Sequence, residues 1–101
     1  MQTTRTRILI QNTTRPVLRG HVHMHYNELR EAHAVLAPEH VYWPDDISVA
    51  ILKKLDGVRD VATIIDELAS DYAAPVDAVG ADIREFLQTW ADERLITEVL
   101  S

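Results

Sequence analysis

Residues 20–43, GHVHMHYNELREAHAVLAPEHVYW, decide the fold. Val22, Met24 and Tyr26 alternate with His21, His23 and His25, the period-two pattern of a strand with one buried face. Two further apolar runs, Ala34 to Leu36 and Val41 to Trp43, predict two more short strands. The polar stretch Asn27 to Glu31 separates the first pair. Ala37-Pro38-Glu39 separates the second, with the fixed φ of Pro38 suited to a tight turn. The expectation is a three-stranded antiparallel meander whose first and third strands are edges, with Val41 and Trp43 facing the core and Tyr42 facing outward. So small a sheet requires helices over one face.

The chain after Trp43 supplies them. Asp45 or Asp46 can cap a first helix with Ile47, Ala50, Ile51 and Leu55 on one stripe, Lys53 and Lys54 in its last turn, and Asp56-Gly57 as its stop. Asp60 caps a second helix that buries Val61, Ile64, Ile65, Leu68 and Tyr72 and ends before Ala73-Ala74-Pro75. A third and longest helix repeats Val76, Val79, Ile83, Phe86, Leu87 and Trp90 at helical spacing, and Leu95, Ile96 and Val99 leave it as an extended tail. Gly80 is the misfit in that helix: it marks either a close approach of another backbone or a late helix start. The fold class expected is α+β and winged-helix-like, a three-stranded antiparallel sheet followed by three helices.

Before the sheet, residues 1–14 read as an arm, polar and threonine-rich except for Ile8-Leu9-Ile10. Three β-formers in a polar tail can pair with a sheet edge, so the arm is a candidate for exchange between protomers, and a homodimer is the candidate assembly. Arg15-Pro16-Val17-Leu18-Arg19-Gly20 then leads into the first strand. Residues 15–101 are expected to form a single domain.

Composition narrows the function classes. The chain has 101 residues, is 47% hydrophobic and carries a net charge of −6. It contains no cysteine, so it has no thiolate nucleophile, cysteine-ligated metal or disulfide, and the expected location is the cytoplasm. No apolar run reaches the length of a membrane span. Residues 1–25 hold Arg5, Arg7, Arg15 and Arg19 without an acid, whereas residues 26–101 are strongly acidic. A winged helix can bind DNA, but the third helix carries Asp77, Asp82, Glu85, Asp92 and Glu93 against Arg84 and Arg94, which opposes a phosphate backbone. His21, His23 and His25 point one way along a strand, as two nitrogen ligands to a metal would, yet the stronger reading is that they form the solvated face opposite Val22, Met24 and Tyr26 on the core side, and the reading adopted is no metal. There is neither a glycine-rich phosphate loop nor a paired-histidine helix nor a serine beside a base, so the expectation is a binding domain and not an enzyme.

The segments Arg15-Pro16-Val17-Leu18-Arg19-Gly20, Tyr26-Asn27-Glu28-Leu29-Arg30, Val35-Leu36-Ala37-Pro38-Glu39, Ala50-Ile51-Leu52 with Leu55-Asp56-Gly57, and Asp82 with Phe86-Leu87 resemble, in order and spacing, the pyrroloquinoline quinone biosynthesis protein D family, PqqD. The resemblance covers about residues 15–99. His33 and Trp43-Pro44 depart from it. It implies a peptide chaperone that binds the ribosomally made precursor peptide of the cofactor and presents it to a radical S-adenosylmethionine enzyme. A leader-recognition domain for another modified peptide, and a structural or regulatory dimer, are the alternatives. The family's binding mode implies that the peptide adds as a strand at His40, Val41, Tyr42 and Trp43 and lies against the third helix at Val79, Asp82, Ile83 and Phe86. It implies no cofactor held by the domain itself.

Overall fold

The computed structural model describes residues 7–100, in the order β1 (Pro16–Leu18), β2 (His23–Asn27), β3 (Ala32–Ala37), β4 (His40–Tyr42), α1 (Asp46–Leu52), α2 (Val61–Asp71), α3 (Val76–Asp92) and β5 (Ile96–Glu98). The meander read from residues 20–43 is present as an antiparallel sheet in the order β2-β3-β4, which leaves β2 and β4 as its edges. Its first turn is closed by Asn27, whose Oδ1 accepts the Arg30 amide at 2.8 Å while Glu31 takes a left-handed φ of 52°.

The phase of the last strand corrects the expected one. Val35 pairs with Met24 on one side and Tyr42 on the other, so Met24, Val35 and Tyr42 share the face that packs on the helices. Val41 pairs with Leu36 and points to the opposite face; it is 46% exposed, and Trp43 is 44% exposed. Side chains alternate with a period of two, so a strand read one residue out of phase exchanges its faces completely. Over β4 and the residue after it, the run Val41-Tyr42-Trp43 is hydrophobic at every position and gives no alternation to settle the phase.

A second sheet was not expected. The approach segment around Pro16–Leu18 and the tail after α3 pair as an antiparallel ribbon, β1 with β5, in the register Pro16 with Glu98, Val17 with Thr97 and Leu18 with Ile96. Asp56 adds a bridge to Val17, and the Gly57 amide donates to the Pro16 carbonyl at 3.2 Å. The first helix therefore ends at Leu52, four residues before the predicted stop. Lys53 is its C-cap, Lys54 lies beyond it, and Asp56-Gly57 forms the crossing over the ribbon, where Gly57 holds a φ of +76°. Of the predicted stripe Ile51 and Leu55 are buried, but Ile47 is 56% exposed, and Val49 and Leu52, outside the stripe, are buried on α1.

The first three amides of α2 have partners outside the helical ladder: Val61 N–H donates to the Thr14 carbonyl (2.8 Å), Ala62 N–H to the Asn12 carbonyl (3.0 Å) and Thr63 N–H to the Asp60 carboxylate (2.8 Å), and Ile64 N–H then begins the ladder on the Asp60 carbonyl (3.0 Å). Residues 12–14 thus complete the cap that Asp60 begins. Its neighbour upstream does not form a strand: Ile8-Leu9-Ile10 runs along α3, where Gln88 accepts the Ile10 amide at 2.9 Å and donates to the Ile8 carbonyl at 2.8 Å, and Arg7 forms a two-point ion pair with Asp92 at 2.9 and 3.0 Å. Residues 1–6 of the expected arm lie outside the described residues.

Beneath these elements Val35, Val61, Ile64, Leu87 and Ile96 are fully buried, joined by Val22, Ile51, Leu55, Leu68 and Ile83. Tyr72 and Val76, read as buried, are both about half exposed, because Tyr72 caps the C-terminus of α2 and Val76 opens α3. Gly80 lies within α3, buried, with the Arg84 guanidinium and Ile65 closing over it, so both of the readings left open for it are replaced by contact with side chains.

Candidate functional site

A helix repeats every 3.6 residues, so Gln88 and Asp92 lie roughly opposite Val79, Phe86 and Trp90 around α3. The arm occupies the first flank. The second flank faces β4. There Tyr42, pointing inward, meets Trp90 with ring centroids 5.6 Å apart, and Trp90 stacks on Phe86 at 5.0 Å. His40, two residues before Tyr42 and on the same face, lies 4.4 Å from it. The result is an aromatic row running from the edge strand onto the helix, a floor of offset and tilted rings that offers apolar area in a fixed orientation.

Farther toward the start of α3 the same flank opens into a cleft of about 180 Å³ lined by Ile47 and Ile51 of α1, Leu68 and Tyr72 at the end of α2, and Val79, Asp82 and Ile83 of α3. Asp82 is the one charged residue among these. At the start of α1, two residues before Ile47, the Asp45 cap carboxylate accepts the Ser48 amide at 2.8 Å, and that hydrogen bond holds the Asp45 carboxyl below the ordinary range. The end of α2 is tied from the other side: Glu67 bonds Lys54 at 2.9 Å and Arg59 at 3.0 Å, and these two partners, Lys54 foremost, depress its pKa.

Of the residues expected to hold a peptide, His40, Tyr42 and Phe86 meet through the ring row, and Val79, Asp82 and Ile83 share the cleft. Val41 and Trp43 contribute backbone to the edge, while their side chains turn to the other face of the sheet, where the Arg30 guanidinium lies 4.5 Å above the Trp43 ring. Trp90, Ile47 and Tyr72 were not anticipated. The spacing of Phe86 and Trp90, one turn apart, was a usable sign for Trp90; Ile47 and Tyr72 reach the cleft only through the helix packing. His21, His23 and His25 stay exposed, and among the described residues no three His or acidic side chains converge as metal ligands.

The model for the family described as "Coenzyme PQQ synthesis protein D (PqqD)" matches residues 32–96, which span β3, β4, all three helices and the first residue of β5. The chain belongs to the PqqD family. Relatives described as "PqqA binding protein" include that of Rhodopseudomonas palustris strain TIE-1, 46% identical over 92 residues that cover 91% of this chain and 90% of the relative. Another, from Bradyrhizobium diazoefficiens, is 42% identical and covers 90% and 88%. Among solved structures, the solution structure of the PqqD truncation of Methylobacterium extorquens PqqCD, described as a functional and stand-alone ribosomally synthesized and post-translational modified (RiPP) recognition element, superposes with a TM-score of 0.74 at 33% identity over 87% of this chain and 94% of that one. The crystal structure of PqqD from Xanthomonas campestris superposes with a TM-score of 0.54 at 30% identity, covering 85% and 96%. The PqqD fold, a three-stranded antiparallel sheet with three helices, is the fold described above. No helix among the described residues is long and apolar enough to cross a membrane.

Proposed function

We propose that this PqqD-family domain binds PqqA, the precursor peptide of the PQQ cofactor, by strand addition to β4, and presents it to the radical S-adenosylmethionine enzyme that begins its modification. The observation that carries the reading is the free β4 edge lying beside the Tyr42, Trp90 and Phe86 rings. An edge strand offers N–H and C=O groups to any extended peptide, each bond adding a net ~0.5–1.5 kcal/mol, and the rings and cleft beside it then select side chains. Relatives described as PqqA binding proteins and a structural neighbour described as a recognition element support it.

The domain acts as a recognition element and not as a catalyst, in the cytoplasm where ribosomal peptides are made. His40, Val41, Tyr42 and Trp43 contribute the edge, and Val79, Asp82, Ile83 and Phe86, now with Trp90, the wall. The arm, residues 1–14, is the element available for exchange, since its bonds to Gln88 and Asp92 could form equally on the α3 of a second copy and would leave the peptide flank free.

Titrating the isotope-labelled domain with a PqqA precursor peptide, with and without the radical enzyme, tests this. The expected shifts fall on β4 and the Val79 to Trp90 flank of α3. Shifts confined to β2, or absence of binding, refute the reading.

A further inference from the structure

The ring row and the cleft are separate places on one flank, and the chain direction orders them. Going from Tyr42 through Trp43-Pro44 to Ile47, the chain passes from Trp90 to the rim of a cleft whose other wall is Val79 and Asp82, so β4 with its continuation runs opposite to α3. Every pairing in the sheet is antiparallel, and an added strand in the same sense also runs opposite to β4. Its N-terminal portion then passes over the cleft. Val79 precedes Trp90 by eleven helical residues, about 16 Å at the helical rise, which an extended peptide covers in about five residues.

We propose that the cleft between Ile47, Tyr72 and Val79 is a second specificity subsite, which receives one large apolar side chain of the bound peptide about five residues N-terminal to the residue lying over Tyr42, with a basic residue next to it facing Asp82. The inference rests on the strand-addition reading above. Its volume of about 180 Å³ suits such a side chain, since an apolar cavity of roughly 150 Å³ accommodates benzene. Continuity with the ring row makes the peptide the occupant, because a segment already held at β4 reaches the cleft without a second association event. The charge of the neighbour follows from the wall. Asp82 and, beside Ile47, Asp46 are exposed acids, and the body of the chain around them is acidic, so an acidic residue there is rejected and a lysine or arginine retained.

Ile47 and Tyr72 are exposed, so the double variant Ile47→Ser/Tyr72→Ser keeps the fold, a point checked by circular dichroism. Parent and variant are titrated by calorimetry with the PqqA precursor peptide and with a series in which each of its apolar residues is changed singly to Ala. The expected result is that the variant binds the unaltered peptide ~10-fold more weakly, and that one N-terminal Ala substitution weakens binding to the parent by a similar factor but not to the variant. Asp82→Asn should weaken binding ~3-fold at low salt and remove part of its salt dependence. The subsite is refuted if the variant binds every peptide as the parent does while prolines in β4 still abolish binding, or if the sensitive residue lies C-terminal to the strand-adding segment. Failure of the parent to bind the precursor overturns both this inference and the functional reading.

Discussion

The Tyr42 ring of β4 and the Trp90 ring of α3 lie with centroids 5.6 Å apart, and through this contact the free edge of the sheet is held beside the longest helix. Neither ring is fully buried, so each is at once a core residue on one side and a surface on the other. Trp90→Ala should therefore lower stability by ~2 kcal/mol, less than for a wholly buried tryptophan, and weaken precursor binding beyond what partial unfolding explains. Chemical denaturation and binding at a temperature where the variant is fully folded separate the two effects.

Successive amides on a strand point to opposite sides. One of Val41→Pro and Tyr42→Pro should remove a donor offered to the peptide and cost ~10-fold or more in affinity with the fold retained, while the other breaks the ladder to β3 and lowers the unfolding midpoint. If both variants are folded and bind as the parent does, strand addition at β4 is wrong.

The two structurally constrained glycines should respond with opposite signs. At Gly57, φ is +76° and a Cβ would lie 2.9 Å from Cγ2 of Val99, so Gly57→Ala should destabilise by ~1–3 kcal/mol. At Gly80 the nearest obstacle is the mobile end of Arg84 at 3.2 Å; it can move aside, and Gly80→Ala should gain up to ~1 kcal/mol of helix propensity. Denaturant midpoints with unchanged slopes would report both.

Stability should fall on the acid side. Asp45, Asp56 and Asp60 are held below their ordinary pKa by backbone amides of Ser48, Arg59 and Thr63, Glu67 by Lys54 and Arg59, and Asp92 by Arg7. A carboxyl with a depressed folded pKa contributes stability in full above its unfolded value, about pH 4, and loses it as pH falls through the folded pKa. Thermal midpoints should stay level between about pH 7 and 5 and drop below about 4, and Glu67→Gln should make that drop shallower. Lys54 has the opposite sense: its pKa is raised, chiefly by its bond to Glu67, so its contribution is complete below its ordinary value and disappears only as strong alkali passes the folded one. A midpoint that rises on acidification to pH 3 contradicts the assignment.

Deleting residues 1–10 should remove the Arg7 ion pair with Asp92 and both Gln88 bonds while sparing the Asn12 and Thr14 carbonyls that cap α2. If the arm is exchanged, light scattering shows a dimer that becomes a monomer on deletion. A monomeric parent, or an oligomer unchanged by the deletion, refutes exchange and leaves peptide binding untouched, because the arm lies on the flank of α3 opposite the proposed peptide site.

The sequence by itself determined what depends on neighbours along the chain. Asp60 ahead of an apolar stripe at helical spacing defines the start of α2, Asp45 does so for α1, and the alternation along residues 21–25 sets the inward Val22 and Met24 against the exposed His21, His23 and His25, whereas Tyr26, read as buried on the same face, is 46% exposed near the end of β2. The spaced segments from Arg15 to Leu87 likewise carried the family. What only the tertiary structure decided rests on contacts between distant residues. The pairing of β1 with β5 joins short runs about 80 residues apart, neither of which has a pattern long enough to declare itself a strand. Three consecutive apolar residues, Val41, Tyr42 and Trp43, fit either phase of a strand, and the register with Val35 and Leu36 turned Tyr42 inward. The cleft exists because the exposed ends of α1 and α2, Ile47 and Tyr72, come to rest beside Val79, a meeting that no periodicity within one helix encodes.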